Sequence, residues 1–190
     1  MKLLVGLGNY GSKYDGTRHN LGWMALVEWM KNQPGGIEGF RHQEKFKGQI
    51  YSKPGITCLF PETYMNKSGE AVVPLMNSLG IEPKHVIVLH DELDLPATTM
   101  RLKFGGGPGG HNGIRSMIAL AGDAFWRLRL GIGKPENPAF KVENWVLSKF
   151  GPEELSVWAK LMPELFEAID LCLADKAELA MNKINRKVKA

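Results

Sequence analysis

The sequence predicts an α/β fold built on an open sheet, and three observations carry that expectation. Leu3-Leu4-Val5 is a short, wholly apolar run of the kind that forms a buried strand. His85 to Leu89 (HVIVL) is β-branched and uniformly apolar, which suits a central strand covered on both faces. Polar and glycine-rich clusters recur just after the strand-like runs, at the edge where open α/β sheets bind ligands.

The first such cluster follows Val5. Gly6, Gly8 and Gly11 break the strand, and Asn9, Tyr14, Thr17, Arg18, His19 and Asn20 crowd after it. Gly6-Leu-Gly-Asn-Tyr-Gly11 matches the G-x-G-x-x-G of dinucleotide sites, but the context is wrong. That motif needs a helix opening at the turn to meet a pyrophosphate. Residues 12–19 carry no apolar period, and the acidic residue expected about 20 positions on falls at Glu28, inside the next helix.

That helix spans residues 20–31 and is apolar nearly all round. Residues 45–52 and 56–60 read as two strands joined at Lys53-Pro54-Gly55. A second polar cluster, Thr63-Tyr64-Met65-Asn66-Lys67-Ser68, leads into a helix over 70–79 that contains Pro74 and closes at Gly80. The central strand ends at His90-Asp91-Glu92-Leu-Asp94, a carboxylate group suited either to a strand-end role or to Mg²⁺. Residues 98–104 form a further strand.

Glycines 105–107, 109 and 110 then precede His111 and Asn112 and a helix over 114–121, an arrangement expected to cradle an anion on backbone N–H groups. Asn112 is also a favoured helix cap. Residues 125–132 read as a strand with Arg127 and Arg129 on one face. Residues 133–145 read as a loop, followed by one helix over 152–162 and another from Pro163. Lys183, Arg186, Lys187 and Lys189 read as a solvated basic end.

The 190 residues fit one domain, 1–190, with 44% apolar and 23% charged residues. The net charge of +4 permits an anionic partner such as nucleic acid. Cys58 and Cys172 make neither a disulfide framework nor a metal pattern. No apolar run suits a bilayer and no signal peptide precedes the first strand, so a cytoplasmic protein is expected.

There is no G-x-S-x-G elbow and no H-E-x-x-H spacing. The chemistry that remains is a histidine base acting on water, held by a carboxylate, with amide side chains orienting substrate and stabilising an oxyanion.

Six blocks together resemble the bacterial-type peptidyl-tRNA hydrolase family: Gly6-Leu-Gly-Asn9, Thr17-Arg-His-Asn20, Thr63-Tyr-Met-Asn66 with Ser68-Gly69, His90-Asp-Glu-Leu-Asp-Leu-Pro96, Gly109-Gly-His-Asn-Gly113, and Arg127-Leu-Arg129 with Gly131-Ile-Gly133. They run in the family's order over nearly the whole chain. Tyr10 departs from the usual proline, Phe60-Pro61-Glu62 from the usual Lys-Pro, and Ala97 from the commoner proline or glycine. The resemblance implies a monomeric, single-domain, three-layer αβα fold around a twisted mixed β-sheet. It implies hydrolysis of the ester of peptidyl-tRNA without metal or cofactor, recycling tRNA from stalled translation. It implies His19 as base and Asp91 as its orienting carboxylate, with Asn9 separating peptidyl- from aminoacyl-tRNA. Tyr14, Tyr64, Asn66 and Asn112 would line the substrate. Met65 and His111 would support them, and Lys103 with Arg127 or Arg129 would meet phosphates. A non-catalytic RNA-binding module on the same fold is the competing expectation. Loss of His19, Asp91 or Asn9 would mark it, and all three are present.

Overall fold

The computed structural model describes residues 1–185. Arg186, Lys187 and Lys189 of the basic end lie outside the described residues. Seven strands form one mixed sheet: β1 (Lys2–Gly6), β2 (Arg41–Gln43), β3 (Gly48–Lys53), β4 (Ile56–Pro61), β5 (Val86–Glu92), β6 (Met100–Phe104) and β7 (Trp126–Gly131). Their spatial order is β2-β3-β4-β1-β5-β7-β6. The central four, β4, β1, β5 and β7, run parallel, and the outer strands pair antiparallel.

Six helices connect and cover the sheet: α1 (Leu21–Lys31), α2 (Ser68–Ser78), α3 (Asn112–Ala121), α4 (Val142–Val146), α5 (Pro152–Leu173) and α6 (Ala177–Ile184). Because successive strand residues face opposite ways, Leu4, Ile87 and Leu89 pack with Leu26, Trp29, Leu165 and Ile169 of α1 and α5. Leu3, Val5, Val86 and Val88 pack with Val72 and Leu75 of α2 and with Ile114 and Met117 of α3. The sheet is thus covered on both faces. Each fully buried Leu or Val contributes roughly 1.5–3 kcal/mol.

Gly6 at the end of β1 and Gly22 in α1 serve this packing. A Cβ at Gly22 would stand 2.1 Å from the Leu89 carbonyl oxygen, and one at Gly6 2.9 Å from that of Gly22. They let α1 lie against β1 and β5, a role that needs no bound phosphate. Cys58 and Cys172 are buried, and burial pushes each thiol up to about 12, so both are inert.

Several boundaries differ from expectation. The strand expected from 45 begins at Gly48, because Glu44–Phe46 form a turn of 3₁₀ helix ending on Lys47 in the left-handed region (φ 47°). The loop over 133–145 contains the start of α4. The helix break at Pro163 does not occur: α5 runs through it. Pro163 and Ala159 are both exposed, where a carbonyl left without its N–H partner costs least. β5 continues through His90 and Asp91 to Glu92, so these residues belong to the strand itself.

Candidate active site

β1 and β5 are neighbours and parallel, with Gly6 beside Leu89, so the chain leaves both at the same sheet edge. Thirteen residues beyond Gly6, a 3₁₀ turn over Arg18–Asn20 brings His19 back to that edge just before α1. There His19 Nδ1 lies 2.9 and 3.0 Å from the two oxygens of Asp91. His111, just before α3, reaches the same carboxylate with Nε2 at 2.8 Å from Oδ1. Asp91 is 2% exposed. Burial works to raise its carboxyl, but His19 and His111 outweigh it through attraction and hydrogen bonding and hold it well below the usual carboxylate range. Asp91 is therefore ionised and accepts only. His19 must donate from Nδ1, which leaves Nε2 as a bare acceptor.

Asn9 is fixed by three bonds. Its backbone N–H donates to Asn20 Oδ1 at 2.8 Å, its carbonyl accepts from Asn20 Nδ2 at 3.0 Å, and its Oδ1 accepts from the Met65 N–H at 2.8 Å. Only Nδ2 remains as its donor for a ligand. Gly113 carries no Cβ because one would press on Met65 Sδ at 2.6 Å. Met65 and His111 are thereby packed against one another's neighbourhood, Met65 4% and His111 8% exposed. Asn66, Tyr64 and Asn112 are exposed around the cluster and Tyr14 is half-buried. Asn112 Oδ1 accepts from Arg115 at 2.6 Å, which turns its amide N–H groups free.

The expected anion cradle at glycines 105–107 is not formed. Arg127 is buried and donates to the carbonyls of Gly105, Gly106 and Gly107, the last at 2.7 Å, so the loop presents its acceptors inward to a guanidinium. Nor is the first turn of α3 open to an anion, since His111 Nδ1 accepts the N–H groups of Gly113 and Ile114. His111, not Asn112, caps the helix. Arg129 Nε donates to Glu92 at 2.9 Å, and Lys103 is exposed. A Mg²⁺ cage from Asp91, Glu92 and Asp94 does not assemble: Glu92 pairs with Arg129, Asp94 with Lys134 at 2.7 Å, and Asp91 with the two histidines.

Two residues that the sequence places in the first polar cluster, without a role of their own, position the site. Asn20 locks Asn9, and Arg18 anchors the turn that carries His19. Arg18 donates to both oxygens of Glu154 (2.7 and 2.8 Å), to Ser148 Oγ and to the Lys149 carbonyl. Its guanidinium lies 3.8 Å from the Trp145 ring centroid and 5.0 Å from that of Phe150. An arginine beside the candidate base was the available signal. A cleft of about 960 Å³ between α1 and α5 meets the site only at Asn9 and Asn20. The chemistry lies instead at the sheet edge, where the titratable groups converge.

A family model described as peptidyl-tRNA hydrolase matches residues 3–190. A peptidyl-tRNA hydrolase of Bdellovibrio bacteriovorus is 41% identical over 189 residues, covering 97% of this chain and 100% of that protein. One from Symbiobacterium thermophilum is 41% identical over 192 residues, covering 97% and 98%. The crystal structure of peptidyl-tRNA hydrolase from Acinetobacter baumannii superposes with a TM-score of 0.87 at 38% identity, covering 98% of this chain and 95% of that one. With the mixed sheet, the six sequence blocks and these full-length likenesses in agreement, the chain belongs to the peptidyl-tRNA hydrolase family.

Proposed function

We propose that this protein hydrolyses the ester joining a peptide to the terminal ribose of tRNA, with His19 as general base and Asp91 as its orienting carboxylate. The observation that carries the assignment is the pairing of His19 Nδ1 with both oxygens of a buried, ionised Asp91. It leaves Nε2 to take a proton from water. The hydroxide so formed attacks the ester carbonyl, the carbonyl–ribose oxygen bond breaks, and the imidazolium returns its proton to the leaving ribose hydroxyl. Asp91 favours the imidazolium as it forms, in the manner of a hydrolase triad carboxylate.

An ester is an activated acyl group, so a positioned water, one base and an oxyanion donor are sufficient without metal or covalent intermediate. The free amide groups of Asn9, Asn66 and Asn112 are the candidate donors to the carbonyl oxygen and the peptide. Tyr14 and Tyr64 would meet the acceptor end, and Lys103 with Arg129 its phosphates. Among the described residues no helix is long and apolar enough to cross a membrane. The reading takes the enzyme as a cytoplasmic monomer acting on tRNA released from translation.

The test is release of peptide from N-acetyl-aminoacyl-tRNA, with unblocked aminoacyl-tRNA alongside. Native protein should cleave the blocked substrate only. His19→Ala should lower turnover by about 10²–10⁴-fold, the usual contribution of a positioned base, with the fold intact. Near-native turnover in that variant would sink the mechanism. Tight tRNA binding by native protein without cleavage would favour the non-catalytic RNA-binding reading.

A further inference from the structure

The cleft between α1 and α5 has no part in the hydrolytic centre, yet both helices furnish it with apolar side chains. From α1 come Met24 and Val27. From α5 come Leu155, Trp158, Met162 and Phe166, spaced i, i+3, i+7 and i+11 along one face. α5 has a second apolar stripe, Leu165, Ala168, Ile169 and Cys172, which is buried in the core. The cleft-facing stripe is left partly uncovered: Leu155 is 41% exposed, and Met162 and Phe166 are half-buried. An apolar trench of about 960 Å³ held open to solvent has the form of a binding site.

We infer that the α1–α5 cleft holds the distal part of the peptide of a peptidyl-tRNA, the residues upstream of those at the ester, by their apolar side chains. The inference rests on the hydrolase reading above and gives it a second, extended subsite.

The cleft is continuous with the site, since Asn9 and Asn20 line it. Asn20 precedes α1 and Asn32 follows it, and both line the cleft, so it runs that helix's length. That is about 18 Å at the helical rise, room for about five or six residues of extended chain.

Its charge is wrong for RNA and right for peptide. No lysine, arginine or histidine lines it, while Asp15 and Glu28 do, in a chain whose net charge is +4. Glu28 is paired with Lys31 at 2.7 Å, and Asp15 is exposed. A phosphate is repelled there, and an uncharged chain is not. The wall also carries a backbone acceptor. Pro163 has no N–H to give the Ala159 carbonyl one turn earlier, and both residues line the cleft. An amide N–H is the donor that an extended peptide brings and a phosphate lacks. The direction agrees as well. Lys103 stands on β6 at one edge of the sheet, whereas the cleft reaches Gln49 on β3 towards the other. The two halves of the substrate thus leave the ester in opposite directions.

The test compares two substrates on one tRNA: N-acetyl-aminoacyl-tRNA, too short to enter the cleft, and the same tRNA carrying an acetylated octapeptide of leucine and alanine. Native protein should show a KM about ten-fold lower for the octapeptide substrate, the size of burying about one apolar side chain. Ala159→Trp, an exposed position where the new ring fills the trench, should erase that gain and leave the acetyl substrate at native kcat. Leu155→Glu should do the same if the first variant fails to fold. Equal KM values in native protein, or a gain that survives both substitutions, would overturn the inference. Independently of activity, the free octapeptide should shift the indole N–H resonances of Trp23 and Trp158, which line the cleft, saturably in native protein and not in Leu155→Glu. No saturable shift, or the same shift with an all-glutamate octapeptide, would overturn it. So would a dimer in sedimentation that Ala159→Trp dissolves, since the cleft would then belong to a second copy. A native protein that leaves both substrates intact would refute the hydrolase reading, and the indole titration would still decide the cleft.

Discussion

His90 makes acid a specific threat to this fold, and the size of the effect follows from its surroundings. The ring is 2% exposed; Nδ1 donates to the Asp91 carbonyl at 2.7 Å, and Nε2 is buried without a partner. Burial pushes the imidazole well below its ordinary value, with the neighbouring His111 adding to the shift. Below about pH 6.5 an unfolded chain takes up a proton at this residue that the folded chain refuses, so stability must fall as pH falls. The slope from this one group is about 1.4 kcal/mol per pH unit, or about 2 kcal/mol between about pH 6.5 and pH 5. For a chain of this length that corresponds to roughly 4–8 °C in melting temperature. The assay is urea unfolding at several pH values for native protein and for His90→Asn, whose amide keeps a donor for the Asp91 carbonyl. The native curve should lose about 2 kcal/mol more than the variant over that interval. Parallel curves would refute the claim that His90 is held neutral by burial.

Below about pH 4 a second loss should set in, because Asp91 is held under the usual carboxylate range and its stabilisation disappears only as that group protonates; Asp91→Asn, compared by acid titration of circular dichroism, should lack this limb. Gly22→Ala should cost about 1–3 kcal/mol or more in thermal denaturation, since the new Cβ would meet the Leu89 carbonyl oxygen at 2.1 Å and force α1 off the sheet; an unchanged melting temperature would show that the helix can shift freely. Lys103→Ala should weaken tRNA binding and reduce the slope of log affinity against log salt by about one, as read by filter binding over a salt series. An unchanged slope would remove Lys103 from the phosphate contacts.

Much of the fold was legible because its central strands are extreme in composition. Leu3-Leu4-Val5 and the Val86–Leu89 run have no helical period and no exposed face to encode, and both are strands at the middle of the sheet. Elements whose identity depends on tertiary partners were not legible. The Glu44–Phe46 turn reads like the strand that follows it, and Pro163 reads as a boundary because only the folded structure reveals that it lies on the exposed face of a continuous helix. At the site, residue types were readable but contacts were not. His19 and Asp91 meet across 72 positions only because β1 and β5 lie side by side in parallel. Asn112 follows His111 and has the better capping propensity, yet the histidine takes the cap because Asp91 holds its other nitrogen. Arg127 reads as a surface base and is in fact the internal clamp of the glycine loop.

The anchoring of Arg18 has a consequence for when in its own synthesis the protein becomes an enzyme. The segment carrying His19 is tied by backbone bonds from Arg18 to Ser148 and from Phe150 to Gly16, and by the Arg18 side chain to Glu154. None of these partners exists until most of the chain has been made. During translation the nascent chain is itself a peptidyl-tRNA, the chemical class this enzyme is proposed to cleave. A histidine tied to residues 148–154 takes its fixed place only once that segment has joined the fold, so a chain truncated before residue 145 should lack the anchor that seats its base.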